Sequence, residues 1–419
     1  MKIYFLPITF ILICTFFTGY SQNIEEFLRP YADAIVQETD FVFTDNETKE
    51  KFSTANNLPI KQNLEIGSEY LHWKYTNGLV YEGLYELGKA LNEESYINFG
   101  DSAFTFIFNN KSYLEKVKNK GYNIEGLKNF AQFKGLWSDG TQTAALINVY
   151  QAKQRADYLD YMNQVADFFF DYDANEAKST SKKKRNRNVD QISTKGVFMA
   201  RMGKLTGEAK YFDYCVKEVL VTDSLFYDPM SGLYNQYYYP HIQVSNNIKW
   251  LRGSGWAAMG LVNILSCMPK DHPGYNEVLK VFKKITVGIS AYQTKSGLWR
   301  HLVNRADCFE ETSGSTYIVY AIAKGINEGF LGSEFRDVAM AGWQGIVSMQ
   351  DAEGNIKNVT SSVSGSTSPA YYYNNSIDES NAHLYGPLFL AGTEMIKLYK
   401  KHKKPAPRNW VYEVNNNKN

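Results

Sequence analysis

Apolar residues recur every three or four positions along most of the chain, the spacing that puts them on one face of an α-helix. "GLVYEGLYELGKALN" at 78–92 shows it, as do "TQTAALINVYQAK", "KGVFMARMGKLTG", "GWAAMGLVNILSCM", "GSTYIVYAIAKGI" and "YGPLFLAGTEMIKLYKKH". Second helices such as "YLDYMNQVADFFFDY" and "YNEVLKVFKKITVGISAY" lie between them. "LGKALNEESYINFGDSAF", "VYQAKQRADYLDYMNQVADF" and "MGKLTGEAKYFDYCVKEVL" share one layout: a helix ends, a short polar turn follows, a Tyr-containing helix begins. Tyr96, Tyr158 and Tyr211 hold equivalent places in this loose repeat, 62 and 53 residues apart. The pattern predicts about twelve helices between residues 25 and 402, paired as αα-hairpins. Six such hairpins closed into a ring make an all-α (α/α)6 barrel. An open α-solenoid is the alternative, though its repeats are usually shorter and more regular.

Alternation of the strand type is weak and confined to "GLYNQYYYPHIQVS" (232–245) and "GLWRHLVN" (297–304), which read as rim loops or short hairpins. No Pro-, Gly- or Ser-rich linker divides residues 22–419, so one domain is expected there. Residues 1–21, "MKIYFLPITFILICTFFTGYS", have the charge, apolar run and small polar end of a secretory signal peptide, which predicts a periplasmic or secreted protein. The run is short for a membrane anchor. Lipid attachment at Cys14 is disfavoured by the bulky Leu12 and Ile13 before it. The remaining Cys215, Cys267 and Cys308 form neither a disulfide framework nor a metal-ligand spacing, and none is expected to act as a nucleophile.

Charge narrows the partners. With 45 Lys and Arg against 44 Asp and Glu, the chain offers no electrostatic reason to bind nucleic acid or an anionic membrane. The basic run "KKKRNRN" at 182–188 reads as a solvated surface loop, with an anion-binding patch as the sharper alternative. No phosphate loop, HExxH, CxxC or GxSxG occurs, and no metal or cofactor is predicted. Nothing specifies an oligomeric state. The 31 Tyr, 25 Phe and 7 Trp suit stacking on sugar rings as well as a thick core.

Candidate chemistry sits where alternate helices begin. "LWSDGTQ" (136–142), "NVDQIST" (188–194), "KWLRGSGW", "CFEETSGS" (308–315) and "DESNAHLYG" (378–386) each precede a predicted helix. In a ring of hairpins these five N-termini point to one end and form one cleft, a setting that favours a bound carboxylate.

These segments also carry a family likeness. "WLRGSGWAAMGLVNIL" resembles the W-x-R-G-x-G-W motif of glycoside hydrolase family 105, the unsaturated rhamnogalacturonyl hydrolases. "FMARMGKLTGEAKYFD", "SGLWRHLVN", "EETSGSTYIVYAIAKGI" and "HLYGPLFLAGTEM" resemble that family in the same order, from about Trp73 to Tyr399. The resemblance implies an (α/α)6 barrel that removes a Δ4,5-unsaturated uronic acid from the non-reducing end of lyase-generated, rhamnose-containing oligosaccharides such as those of rhamnogalacturonan or ulvan. One Asp protonates C4 of the enol ether, water adds at C5, and the ring opens to expel the neighbouring sugar. On this likeness Asp190 matches the catalytic Asp, although Asn188 stands where the family has Trp, and Ser193-Thr194 where it has an aromatic-Met pair. Asp139 falls within one position of a second acidic residue that positions substrate or water. Arg252 is the candidate clamp for the uronate carboxylate, and Trp250 and Trp256 would stack on the sugar or wall the pocket. Trp299, His301 and His383 are further lining candidates. Asn235 and Gln236 occupy the place of a substrate-contacting His, which points to a changed subsite and leans toward an ulvan-type substrate.

Each of these residues has a plainer alternative. Asp190 and Asp139 could be helix caps, as Thr312, Ser313 and Ser315 are expected to be. Arg252 could pair with a nearby acid, and Trp256 could be core. His72, His272 and His402 are expected to be structural. Two other functions fit the same pattern: a non-catalytic carbohydrate-binding barrel, and an inverting glycosidase needing a second carboxylate from Asp139, Glu310 or Glu311.

Overall fold

In a computed structural model, residues 8–60, 64–132, 135–180, 184–377 and 382–401 are described, with side chains from Asn23 onward. Residues 1–7, Lys182, Lys183, Asp378, Glu379 and His402 therefore lie outside the described residues. Twelve helices of twelve residues or more follow one another: α1 (Ile8–Glu38), α2 (Tyr75–Leu91), α3 (Glu94–Asn109), α4 (Leu136–Lys153), α5 (Ala156–Lys178), α6 (Gln191–Thr206), α7 (Ala209–Phe226), α8 (Leu251–Cys267), α9 (Tyr275–Ser290), α10 (Thr312–Asn327), α11 (Arg336–Val347) and α12 (Tyr385–Lys401). The even-numbered helices pack on one another in the cycle α2–α4–α6–α8–α10–α12 and back to α2. Each odd-numbered helix backs one of them, with α1 closing the outer layer on α12. This is the (α/α)6 barrel.

Inner and outer helices differ in pattern because they differ in surroundings. Every residue of α8 from Leu251 to Leu265 is buried, as expected of a helix enclosed on all sides. On α9 the buried Tyr275, Val278, Val281, Phe282, Ile285 and Ile289 form one stripe and the lysines face water. The repeated polar turn has a backbone cause. Asn92, Gln154 and Gly207 adopt left-handed conformations and return their N–H groups to the carbonyls of Gly88, Tyr150 and Gly203, ending α2, α4 and α6. Tyr96, Tyr158 and Tyr211 then anchor the outer partner, all three buried.

Glycine sets the spacing of the inner ring. A Cβ on Gly78 would lie 2.6 Å from the Thr141 carbonyl carbon, on Gly260 2.8 Å from Ser193 Cα, and on Gly255 2.7 Å from Tyr317 Cβ. Gly386 would strike Leu79, and Gly140 the carbonyl oxygen of Thr194. Helical glycine costs roughly 1 kcal/mol relative to alanine, yet here it lets neighbouring backbones touch. Gly140→Ala is expected to destabilise the fold by about 1–3 kcal/mol, the usual cost of overpacking. Urea unfolding checks this, and an unchanged midpoint would refute the close approach of α4 and α6.

Short ribbons tie together the loops that enter the inner helices. Arg187–Asn188 pairs antiparallel with Tyr237–Tyr239, which pairs with Val244–Ser245. The Val189 N–H donates to the Gln236 carbonyl, Leu251 N–H to the His301 carbonyl, and His301 N–H to the Phe309 carbonyl. Trp299–Arg300 pairs with Glu310–Glu311. The weakly alternating segments thus form a hydrogen-bonded rim. One expectation changes: Leu251 already starts α8, so Arg252, Gly253 and Gly255 lie within the helix rather than in a segment preceding it. Gly255 there serves contact with α10, while Gly253 faces the Trp250 ring and Val189. Among the described residues no helix is long and apolar enough to cross a membrane.

Candidate active site

The polar segments entering α4, α6, α8, α10 and α12 lie at one end of the inner ring, as do Trp73 and Tyr75 at the start of α2. Asp190 is the residue before α6, delivered there by the Arg187–Asn188 ribbon. It is only 8% exposed, and its side chain makes no capping hydrogen bond. Its Oδ1 is buried without a hydrogen-bond partner, so the cap alternative fails. Burial pushes the Asp190 carboxyl up to about 7, against the opposing pull of the Arg252 charge. Gly253 lies beside it, where a Cβ would stand 2.9 Å from the Trp250 ring, 3.1 Å from Val189 and 3.4 Å from Oδ1.

Asp139, in the first turn of α4, is fully buried. Its Oδ1 accepts the Trp73 indole N–H at 2.9 Å and its Oδ2 the Gly135 N–H at 3.1 Å. Burial pushes this carboxyl up to about 7 as well, with those two donors pulling the other way. Trp73 sits among Phe104, Phe108, Phe130 and Tyr161. Asp139 is thus a buried tie between α4 and the entry to α2 rather than an open cap.

Arg252 does not present a free fork. Its Nη1 donates to Ser313 Oγ, the Thr360 carbonyl and Thr360 Oγ1, each at 2.9 Å, and its Nη2 to the Ser361 carbonyl at 2.6 Å. Glu311 Oε1 lies 3.6 Å from Nη1, and the guanidinium stands 4.9 Å from the Trp250 ring centre. The ion-pair alternative is therefore realised, and an arriving carboxylate competes with acceptors of the protein. Glu311, fully buried, accepts the Ser313 N–H at 3.2 Å, Gly314 N–H at 2.6 Å and Thr360 N–H at 3.1 Å. Glu311 is the cap of α10, not Thr312, Ser313 or Ser315, and both of its oxygens accept bonds from the protein. Glu310 accepts a bond from Ser296.

The aromatic candidates divide. Trp250 is buried with its indole N–H unpartnered. Trp256 packs between Tyr75 and Tyr317, at ring distances of 6.0 and 4.9 Å. Trp299 is a correction: it is fully buried in the main core, with its indole N–H on the Ile289 carbonyl at 2.8 Å, because the Trp299–Arg300 strand turns it inward behind α10. His301 stacks on Phe309 at 5.0 Å, and neither ring nitrogen has a partner. Burial pushes its imidazole down to about 4 and also holds that of His383 well below the usual histidine value, so both are neutral near pH 7. His383 Nε2 lies 2.9 Å from Ser362 Oγ, while its Nδ1 is unpartnered. His72 is half-buried near Gly126, and His272 pairs with Asp213 at 3.3 Å.

Several residues escaped sequence reasoning. The Tyr317 hydroxyl is buried and unpartnered, and its ring feels the charges of both Arg252 and Asp190. Its signal was hidden inside an apolar helix. A strap over residues 358–377, a Ser-rich stretch without a motif, crosses the rim: Thr360 and Ser361 hold Arg252, Ser362 meets Tyr75 and His383, and the Tyr372 hydroxyl donates to Gln236 Oε1. Among the described residues, unpartnered buried polar atoms thus gather along this end of the barrel, on Asn188, Asp190, Gln236, Trp250, Ser254, His301, Tyr317 and His383. Each costs about 1–3 kcal/mol unless water or a ligand satisfies it, which marks the cleft as a polar-ligand site.

The model of Glycosyl Hydrolase Family 88 matches residues 49–399. An unsaturated 3S-rhamnoglycuronyl hydrolase of Alteromonas sp. (strain LOR) is 28% identical over 205 residues, covering 47% of this chain and 48% of that protein. A Formosa agariphila protein of the same description is 30% identical over 154 residues, 36% and 39% of the two chains. The chain thus spans about half or less of the length of each of these two relatives. A solved structure described as a possible member of the GH105 family, from Salmonella enterica serovar Paratyphi A, superposes with a TM-score of 0.68 at 15% identity, covering 91% of this chain and 94% of that one. The unsaturated glucuronyl hydrolase of Bacillus sp. GL1 gives 0.57 at 11% identity, covering 91% and 96%. Likeness at such identities is one of fold.

Proposed function

The chain belongs to Glycosyl Hydrolase Family 88, and from that membership we propose that it removes a Δ4,5-unsaturated uronyl residue from the non-reducing end of rhamnose-containing oligosaccharides released by polysaccharide lyases. One observation carries this reading: the buried, unpartnered Asp190 Oδ1 on a carboxyl pushed up to about 7. Such a group is half protonated near neutrality and so can both give and take a proton. Asp190 protonates C4 of the enol ether as the C4=C5 electrons form the new C–H bond. Positive charge is then shared by C5 and the ring oxygen. Water bonds to C5 and returns its proton to Asp190, and the hemiketal opens with departure of the neighbouring sugar. The Arg252 side chain supplies the nearby positive charge that holds the uronate, with Ser361 giving way to the substrate carboxylate. Trp250, Trp256, His301, His383 and Tyr317 line the ring's path, and Asp139 fixes the floor. The names of the two relatives given above support a sulfated rhamnose next to the cleaved bond, in keeping with an ulvan-type substrate. A secreted or periplasmic setting after loss of residues 1–21 suits that substrate.

Incubation with lyase-generated disaccharides should abolish the enol-ether ultraviolet absorbance. No loss with any of them would leave the non-catalytic carbohydrate-binding reading. The rate carries its own signature. Because the acid form of Asp190 is needed, kcat/KM should fall as pH rises past about 7. Stability follows the same sign. The contribution of a raised carboxyl is fully present below the ordinary Asp value and is lost as pH rises through about 7. A rate still climbing at pH 8 would contradict the assignment.

A further inference from the structure

We infer that a second saccharide-binding groove, for an acidic sugar of the polymer chain, lies outside the barrel cleft between α5, α7 and the ribbon that leads to Asp190. The ligand class rests on the acidic substrate proposed above; the groove itself does not. The cavity holds about 320 Å³, at the lower end of small-ligand clefts. Its walls are Tyr172 on α5, Tyr238 and Pro240 on the hairpin, and Lys184, Arg185 and Lys217 at the mouth.

The charges of this groove do not cancel. Two of its acids meet a lysine behind the lining: fully buried Lys195 lies 2.9 Å from Asp173 and 3.3 Å from Glu218. Glu218 is also paired with Arg187 at 2.6 Å. Glu176 accepts the Arg185 backbone N–H at 3.0 Å. Asp173 and Glu218 are thus paired with cations, while Glu176 is held by a backbone N–H. Lys184 and Lys217 form no ion pair among the described residues, and the Arg185 guanidinium lies over the Tyr172 ring at 5.4 Å. Arg187 Nε is buried without a partner. Exposed cations over half-buried tyrosine faces make the combination that holds a sugar ring by stacking while pairing its sulfate or carboxylate. The basic run therefore has a shaped, aromatic-walled anion site at its C-terminal half.

Affinity electrophoresis of the full chain in gels containing dextran sulfate, with neutral dextran as control, tests the groove, and turnover of an unsaturated disaccharide is measured in parallel. The chain should be retarded by dextran sulfate only. Lys184→Ala/Arg185→Ala/Lys217→Ala should weaken retardation at least tenfold, and Tyr238→Leu several-fold. Disaccharide kcat/KM should stay within twofold, which also shows that the variants fold. Wild-type retardation by the triple variant would overturn the proposal. So would an unaltered Tyr238→Leu, since plain charge attraction needs no ring, and so would a parallel loss of disaccharide turnover, which would place the groove within the cleft. Failure of every disaccharide to react strikes the hydrolase reading and leaves the electrophoretic readout intact.

Discussion

Asp190→Asn should bind an unsaturated oligosaccharide nearly as well as the wild type and turn it over about a thousandfold more slowly. The side chain keeps its shape, and the amide resembles the neutral acid that prevails below about pH 7. What it loses is the transferable proton. General acid–base catalysis is worth roughly 10²–10⁴ in rate, and here one carboxyl serves both protonation of C4 and deprotonation of water. The loss should therefore appear in kcat, with KM little changed. A second readout comes from folding. Asparagine does not ionise, so the decline in stability between the ordinary Asp value and about pH 7 should become shallower, leaving only the share due to Asp139. Stopped-assay kinetics and urea unfolding at pH 5 and 8 measure both. An Asn variant retaining a tenth of the wild-type kcat would move the catalyst elsewhere.

Arg252→Met should cost about 3–5 kcal/mol of folding stability, the usual consequence of stranding one member of a buried ion pair. Glu311 would remain fully buried beneath the strap with its charge uncompensated, and the Thr360 and Ser361 carbonyls would lose their donors. Methionine fills the aliphatic volume of the arginine, so the loss is electrostatic rather than one of packing. The double variant Arg252→Met/Glu311→Gln should recover part of it, since the glutamine oxygen still accepts an N–H from the first turn of α10. Activity should fall further than stability alone explains, because Asp190 loses the cation that opposes its burial. A single variant within about 1 kcal/mol of wild type, against that 3–5 kcal/mol expectation, would show that the network does not hold the strap.

The particular residues show how far the chain could be read. The apolar spacing of 78–92 placed α2, and the polar turns after Asn92, Gln154 and Gly207 placed the hairpins. Those signals are local, lying within one helix and its cap. Asp190 was legible from the segment it opens. Arg252 was legible as a residue but not in its state. Its partners Thr360 and Ser361 lie 108 and 109 positions away, in a strap whose serines form no motif. Trp299 shows the converse: a tryptophan beside a rim segment looked like a cleft wall, but a two-residue strand decides which side it faces, and one step in register reverses that.

Local periodicity, then, determined that this chain is a succession of helical hairpins, whereas their closure into a ring with the polar segments at one end is set by distant contacts such as that of α2 with α12. Only the tertiary structure decided the chemistry at that end. Helix formation depends on residues three and four apart, whereas the protonation of Asp190 and Asp139 depends on how completely water is removed by neighbours from the whole ring.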